Sequence, residues 1–220
     1  LWYDKFIFYI GRRGMFPIWI HTKEEVKRLL ILGAGGFGHM IQETARLLGY
    51  EEVVFLDDAV KGADVIGKCC DYKAFLNEYD TAVAALGDSG MRLYWTEKLM
   101  EAGYQVPAII HPSAVVSPSA VIGNGSFIMQ SAIVNTNTVV EHGVLVNSGA
   151  VVDHDSHVGC GAHIGLGSVV KANCVIPSRK KVEEGEVIFS TRRKIDGVTS
   201  RNLEDALYAF CLLYTSPGPR

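Results

Sequence analysis

The chain has 220 residues, of which 48% are hydrophobic, with a formal net charge of −3 at neutral pH. This length and composition allow a sizeable buried core and exclude an intrinsically disordered chain. Lys and Arg residues are scattered without forming a basic stripe, which argues against a nucleic acid or an anionic membrane as the partner.

The first 27 residues are predicted to be an N-terminal extension of the folded domains. Charged residues interrupt the aromatic stretch "LWYDKFIFYIGRRG", so we expect neither a signal peptide nor a membrane anchor. Met15 is a candidate translation start, and residues 1–14 would then be a non-native upstream read-through. The five cysteines are an odd count without paired zinc-type spacing, which favours a reducing, cytoplasmic location.

Residues 28–107 are predicted to form a small α/β domain, half of a doubly wound sheet. An apolar run at 29–32 predicts a strand, and a glycine loop "GAGGFG" leads from it into a helix at about 37–48. A second strand at 53–56 ends at Asp57 and Asp58. Further along, the pattern predicts a strand at 81–88, a helix at about 89–102 and a strand near 105–110.

The glycine loop fits two classes of nucleotide. Gly33, Gly35 and Gly38, with Asp57 following 19 residues after Gly38, match the dinucleotide fingerprint, in which the acid binds a ribose hydroxyl. Only about 80 residues lie between this first strand and the next motif, whereas the dinucleotide fold uses two such halves. A mononucleotide such as UDP, with its phosphate at the start of the helix, fits that size better than NAD.

Residues 108–191 divide without a gap into 14 hexads, each with Ile or Val at the third position. The first position is nearly always small or Val, and the last three positions carry turn-forming residues. Because side chains alternate along a strand, positions one and three point to the same side and supply an interior. Each hexad therefore predicts one short strand and one corner, and three hexads complete an 18-residue coil of a triangular prism.

The stretch "GAVVDHDSHVGCGAHIG", residues 149–165, concentrates histidines on this prism. His154 occupies position five, on a corner, and Asp153 and Asp155 flank it. A carboxylate on one imidazole nitrogen fixes the tautomer and raises the basicity of the other nitrogen, although a corner histidine can also be a solvated surface residue. His157 is interpreted as a surface or packing residue. A metal site is disfavoured because corner placement spreads the potential ligands over different faces.

The C-terminal segment, residues 192–220, is predicted to be a truncated tail. "SRNLEDALYAF" has the spacing of a helix that opens a further fused domain, missing from this chain. From Cys211 onward, "CLLYTSPGPR" is similar to the translated end of a sequencing-library adaptor, which would make that end artefactual.

The hexads resemble those of the hexapeptide-repeat acyltransferases, whose repeats wind a left-handed parallel β-helix. Together with "GAGGFG", "FLDD", "ALGD", "IIHPSA" and "NSGAVVDHD", they make the chain similar, over about residues 28–176, to the sialic-acid O-acetyltransferases and the bacillosamine-type N-acetyltransferases of UDP-4-amino sugars. The resemblance implies a half-Rossmann βαβ module that binds a sugar nucleotide, followed by a β-helix acyltransferase domain at 108–191. It also implies a homotrimer with active sites between neighbouring prisms, and acetyl transfer from acetyl-CoA to a sugar amine or hydroxyl in surface-polysaccharide synthesis.

The resemblance also implies a role for individual residues. "VVDHD" matches the catalytic segment of the family, which makes His154 the general base and Asp155 the acid that orients it. A histidine nine residues further on contacts acetyl-CoA in the family, which is His163 here. The family's sugar-nucleotide contacts match Gly35, Gly36, Phe37, Asp57, Asp58 and Gly87, although family members often have His where Phe37 stands.

Two other functions stay open. The hexads after His163 turn charged, which shortens the predicted groove for acetyl-CoA and favours a non-catalytic, trimeric sugar-nucleotide-binding scaffold. The glycine loop by itself also fits an NAD-binding enzyme.

Overall fold

A computed structural model describes residues 2–11, 14–23 and 26–190 of the chain. Strands β1 (Trp2–Gly11) and β2 (Gly14–Lys23) pair as a two-stranded antiparallel sheet. Residues 192–220, with the predicted C-terminal helix, lie outside the described part of the chain. Within the described part, no helix combines the length and apolar character that crossing a bilayer requires.

The α/β unit contains a parallel sheet, as the sequence predicted, and this sheet has four strands. Its strands are β3 (Arg28–Leu32), β4 (Glu52–Leu56), β5 (Val65–Gly67) and β6 (Ala82–Ala84), arranged in the order β5-β4-β3-β6. The connecting helices are α1 (Gly36–Leu47), a 3-10 helix (Cys69–Phe75) and α2 (Ser89–Glu101). The strand predicted near 105–110 is wrong: Gln105 makes only a single bridge to Thr81, and Ile109–Ile110 is the first strand of the prism.

Alternation along β3 and its neighbours gives the sheet two apolar faces. Leu29 and Ile31 point to the face that α1 covers, while Leu30 and Leu32 point to the face covered by the 3-10 helix and α2. All four side chains are fully buried. A strand buried on both faces reads as a continuous apolar run, which is why "LLIL" has no polar alternation.

The 14 hexads form 14 two-residue strands stacked in three parallel sheets, which confirms the predicted left-handed β-helix. The first prism sheet contains β7 (Ile109–Ile110), β10 (Phe127–Ile128), β13 (Leu145–Val146), β16 (His163–Ile164) and β19 (Lys181–Val182). The second contains β8 (Val115–Val116), β11 (Ile133–Val134), β14 (Val151–Val152), β17 (Val169–Val170) and β20 (Val187–Ile188). The third contains β9 (Val121–Ile122), β12 (Val139–Val140), β15 (His157–Val158) and β18 (Val175–Ile176).

The core of the prism consists of the first and third residues of the hexads, as the alternation argument predicts. Third-position residues such as Val140 and Val158 are fully buried, and so are first-position residues such as Ala150 and Ala162. Each strand pairs in register with the strand 18 residues away, so every coil adds one layer to this core.

One face of the prism is covered by the α/β unit. Ile109, Phe127 and Leu145 occupy the outward second position in the first prism sheet, yet all three are buried in the cluster that contains α1 and the β3 face. The next residue on this ladder is His163, which pairs with Leu145. Packing of the two units therefore brings His163 to the edge of the contact between them.

Helix α2 lies along the corner between the third and first prism sheets, which we call the covered corner. The prism residues at hexad position six of this corner are Gly125, Gly143 and Gly161. A Cβ atom on Gly161 would lie 2.9 Å from Leu93 Cβ of α2. On Gly125 a Cβ would lie 2.6 Å from Thr96 Cγ2. Three or four residues of helix advance about 5 Å, close to the spacing of stacked strands, so successive α2 residues meet successive coils.

Candidate active site

His154 and Asp155 form a hydrogen-bonded pair on the corner between the second and third prism sheets, which we call the exposed corner. His154 Nδ1 lies 2.7 Å from Asp155 Oδ2, and about half of each side chain is exposed. The hydrogen bond from the ring to Asp155 raises the pKa of His154 above its ordinary value, with a further contribution from the charge of Asp153. A proton held on Nδ1 leaves Nε2 as the proton-accepting atom of the ring.

The preceding coil supports this pair. Asn137, 18 residues before Asp155, donates from Nδ2 to Asp155 Oδ1 at 3.2 Å, and Asn135 donates to Asp153 Oδ1 at 3.0 Å. The backbone N–H of His154 donates to the same Asp153 oxygen at 2.9 Å. Asn137 and Asp155 both have φ near +55°, a conformation that Asn and Asp tolerate better than most residues. The repeat therefore orients the carboxylates on both sides of the imidazole.

His163 lies on the first prism sheet, in a different environment from His154. Burial lowers the pKa of His163 below its ordinary value, and the charges of Arg92 and Lys181 lower it further. Its Nε2 lies 3.4 Å from the side-chain amide of Asn147, the residue beside it in the coil below. These conditions favour a neutral imidazole at physiological pH.

The fold does not bring His154 and His163 of one chain together. His154 lies on the corner between the second and third prism sheets, whereas His163 projects from the first sheet, the opposite side of the triangle. A single reaction centre that uses both side chains therefore needs two copies of the chain.

The glycine loop has two kinds of glycine. Gly38 has no room for a side chain, because a Cβ atom there would lie 2.0 Å from the carbonyl oxygen of Gly33. At Gly35, Gly36 and Gly87, by contrast, no described atom lies within 4 Å of the Cβ position apart from the chain neighbours and the backbone of α1 itself. Gly35 is also the N-cap of α1 and has no side-chain cap. Internal packing explains Gly38 but leaves open space at the three glycines predicted to contact the sugar nucleotide.

The two carboxylates after β4 hold the loops around this space. Asp57 Oδ2 accepts a hydrogen bond from Ala34 N at 2.8 Å, and its Oδ1 accepts from Ala59 N and Val60 N. Burial opposes ionisation of Asp57, but these backbone hydrogen bonds outweigh it and lower the pKa below its ordinary value. Asp58 Oδ1 accepts from Cys69 N at 3.1 Å. Both residues therefore shape the loops from which ligand contacts would come.

Phe37, the remaining predicted substrate contact, packs against the prism. Its ring meets Phe127 edge to face, with the ring centroids 5.2 Å apart. The observed contact of Phe37 is thus with the first prism sheet.

A second polar cluster lies near the covered corner. Glu141 Oε1 is 2.8 Å from His157 Nε2, and Glu141 Oε2 accepts from Cys160 N at 2.8 Å and from Cys160 Sγ at 2.6 Å. The hydrogen bond with His157, supported by those from Cys160, lowers the pKa of Glu141 to about 2. The described residues contain no group of three or more His, Cys, Asp or Glu side chains able to hold a metal ion.

Sequence reasoning missed Arg92, which α2 carries between the two units. Its side chain is fully buried and donates to backbone carbonyls of the α/β unit and of the prism. The available signal was indirect: Arg92, Thr96 and Leu99 follow helical spacing, and all three face the interior. From the sequence, an arginine on this face of α2 is interpreted as a surface residue. Its buried position follows only once the carbonyl groups of the corner glycines are known to accept its hydrogen bonds.

Comparison with known proteins places both units in one family. A model of the PglD N-terminal domain matches residues 28–99. The structure of PerB from Caulobacter crescentus in complex with CoA and GDP-perosamine is 27% identical, with a TM-score of 0.66, covering 75% of this chain and 90% of that one. The acetyltransferase domain of PglB from Neisseria gonorrhoeae is 31% identical, with a TM-score of 0.60 and coverage of 74% and 91%. The same domain in complex with acetyl coenzyme A is 30% identical, with a TM-score of 0.55, covering 74% of this chain and 98% of that one.

Proposed function

The chain belongs to the hexapeptide-repeat sugar acetyltransferases, and from this membership we propose that it transfers acetyl from acetyl-CoA to an amine or hydroxyl of a nucleotide-linked sugar. Residues 28–107 bind the sugar nucleotide and residues 108–191 carry the transfer. PerB is a relative that holds both CoA and a nucleotide-linked sugar, which supports this substrate class. We place the reaction in the cytoplasm, in the synthesis of surface polysaccharide.

The observation that carries the proposal is the pair formed by His154 and Asp155. Asp155 accepts a hydrogen bond from Nδ1–H of the ring, so Nε2 takes a proton from the acceptor amine or hydroxyl as that group attacks. The acceptor atom bonds to the thioester carbonyl carbon, and collapse of the tetrahedral intermediate breaks the carbon–sulfur bond. The same imidazole then returns the proton to the departing thiolate, so no acyl-enzyme is needed.

The sugar nucleotide binds at the open glycines. Gly35 and Gly36 begin α1, where backbone N–H groups and the helix dipole favour a phosphate, and Gly87 follows β6 at the same edge of the sheet. The open space at these three positions supports close approach by a ligand. Asp57 and Asp58 complete this side, on the turn that follows β4.

The acetyl donor binds on the side of His163. Because His163 faces away from His154 of its own chain, we propose that each centre takes His154 from one copy and His163 from the next, within a homotrimer. A neutral His163 suits contact with an uncharged thioester better than an imidazolium would. The open glycines of the α/β unit lie on the same side of the chain as His163, which sets acceptor and donor sites beside each other.

The test is an assay of CoA release with acetyl-CoA and a panel of nucleotide-linked sugars that carry either a free amine or only hydroxyls. Wild-type protein is expected to release CoA with at least one of them, and His154→Ala to lose that release. Mass spectrometry of the product locates the acetyl group on nitrogen or oxygen. Binding of a sugar nucleotide without binding of acetyl-CoA would instead support a scaffold, and binding of NAD would support the dinucleotide alternative.

A further inference from the structure

Arg92 is a fully buried cation whose six hydrogen bonds all go to neutral acceptors. Nε donates to Gly143 O at 2.8 Å, and Nη1 donates to Leu86 O at 2.9 Å and to Gly87 O at 3.2 Å. Nη2 donates to Gly161 O at 2.8 Å, to Ala162 O at 3.1 Å and to the Ser89 hydroxyl at 3.3 Å. Burial lowers the pKa of Arg92 to about 10, against the opposing charge of Asp88, and the guanidinium still keeps its charge at neutral pH.

These acceptors belong to two different parts of the molecule. Leu86 and Gly87 form the loop after β6, on the sheet edge where the sugar nucleotide is proposed to bind. Gly143, Gly161 and Ala162 belong to two successive coils of the prism, and Ala162 directly precedes His163. The planar guanidinium presents its N–H groups in a fixed fork. It thus joins the loop proposed to bind the sugar nucleotide to the coils that carry His163.

The electrostatics around His163 agree with this placement of Arg92. Arg92 is the charged group that most strongly disfavours the imidazolium form of His163, followed by Lys181, while Glu184 and Glu183 act in the opposite direction. Asn147 makes the neighbouring polar contact. Removal of the Arg92 charge is therefore expected to raise the pKa of His163.

We propose that Arg92 is a positioning residue, which fixes the Gly87 loop relative to His163 so that the sugar acceptor and the acetyl donor meet at attack distance. The inference rests on the proposed function. Catalysis by approximation is steeply sensitive to distance, and a shift of about 1 Å can cost about 100-fold in rate. If Arg92 served stability alone, its replacement would leave kcat per folded site unchanged.

The test compares Arg92→Lys with wild type, because lysine keeps the charge but cannot span both sets of carbonyls. Arg28→Lys is the matched control, since Arg28 is an exposed arginine of the same α/β unit, paired with Glu52. For Arg92→Lys, we expect kcat per folded protein to fall by at least about tenfold. The dissociation constants of acetyl-CoA and of the sugar nucleotide, measured separately, should change by less than about threefold. Arg28→Lys should keep the wild-type kcat.

A further variant, Arg92→Gln, removes the charge, and NMR titration of His163 follows the consequence. The His163 titration is expected to move to higher pH in Arg92→Gln and to stay near wild type in Arg92→Lys. An Arg92→Lys enzyme with a lower Tm but the wild-type kcat per folded site would show that Arg92 acts on stability alone. That result would overturn the inference. Lack of turnover by wild type itself would overturn the proposed function, and this inference with it, so the two failures are distinguishable.

Discussion

Two corners of the same prism, built from the same hexad pattern, have opposite characters. The covered corner carries Gly143 and Gly161 at position six, and α2 packs directly on them. The exposed corner carries Asn137 and Asp155 at the same position and in the same left-handed backbone conformation. There the side chains form a hydrogen-bonded ladder and leave His154 exposed. Glycine at position six therefore leaves room for α2 on the covered corner, whereas Asn and Asp at that position build the polar ladder of the exposed corner.

This difference predicts that substitutions of the corner residues themselves separate stability from activity. Changes on the exposed corner should lower the rate and leave folding intact. Changes on the covered corner should lower the free energy of unfolding.

The largest effect is expected from His154→Ala on the exposed corner. Loss of the general base should lower kcat by between about 100-fold and about 10,000-fold. Because half of the side chain is exposed, Tm should stay at the wild-type value. Initial rates of CoA release and a thermal melt check both statements. His157→Ala, which changes the next histidine along the chain, is the control and should retain kcat within about threefold; a similar loss there would contradict the assignment of the base.

On the covered corner, Gly161→Ala is the next largest change. Its φ of +66° strains any side chain, and the added Cβ would collide with Leu93, so the free energy of unfolding should fall by about 2–4 kcal/mol. Gly167→Ala is the matched control: φ is +61°, and no described atom other than its two chain neighbours lies within 4 Å of the Cβ position. It should cost about 1 kcal/mol. Equal losses in urea denaturation would show that α2 does not depend on the corner glycine.

Asp155→Asn tests whether the negative charge of Asp155 assists His154 on the exposed corner. Asparagine can still accept from Nδ1–H, so the tautomer survives while the negative charge is lost. We expect kcat to fall by about tenfold. Asp155 raises the pKa of His154, and only the unprotonated ring accepts a proton, so the acid limb of the kcat/KM profile should move to lower pH in the variant. If the acid limb of the kcat/KM profile does not move, Asp155 does not set the pKa of the catalytic base.

The smallest effect is expected at Glu141, beside the covered corner. Its pKa in the folded protein, about 2, lies below the ordinary value of 4.5, so its interactions stabilise the fold above pH 4.5 and are lost as the pH falls towards 2. Glu141→Gln should cost about 1 kcal/mol at neutral pH, a figure discounted for partial exposure. The difference from wild type should shrink below pH 4.5 in urea melts. A constant difference down to pH 3 would assign the loss to packing.

Much of the fold could be predicted because the hexad repeats a physical constraint 14 times. A branched residue such as Val152 at position three has only the interior to point into, and this fixes the outward direction of His154. Arg92 and Phe37 could not be predicted in the same way. Their partners, the carbonyl of Gly161 and the ring of Phe127, are remote in sequence, and local patterns carry no information about which helix packs on which corner.

The relation between His154 and His163 gives the most direct test of the proposed site. His154→Ala and His163→Ala should each lose activity as pure proteins, and co-expression should mix their copies within one assembly. If each site takes one histidine from each of two copies, about a quarter of the sites in an equal, random mixture regain both residues. The mixture should then recover about a quarter of the wild-type CoA release. A mixture no more active than the average of the two pure variants would contradict it.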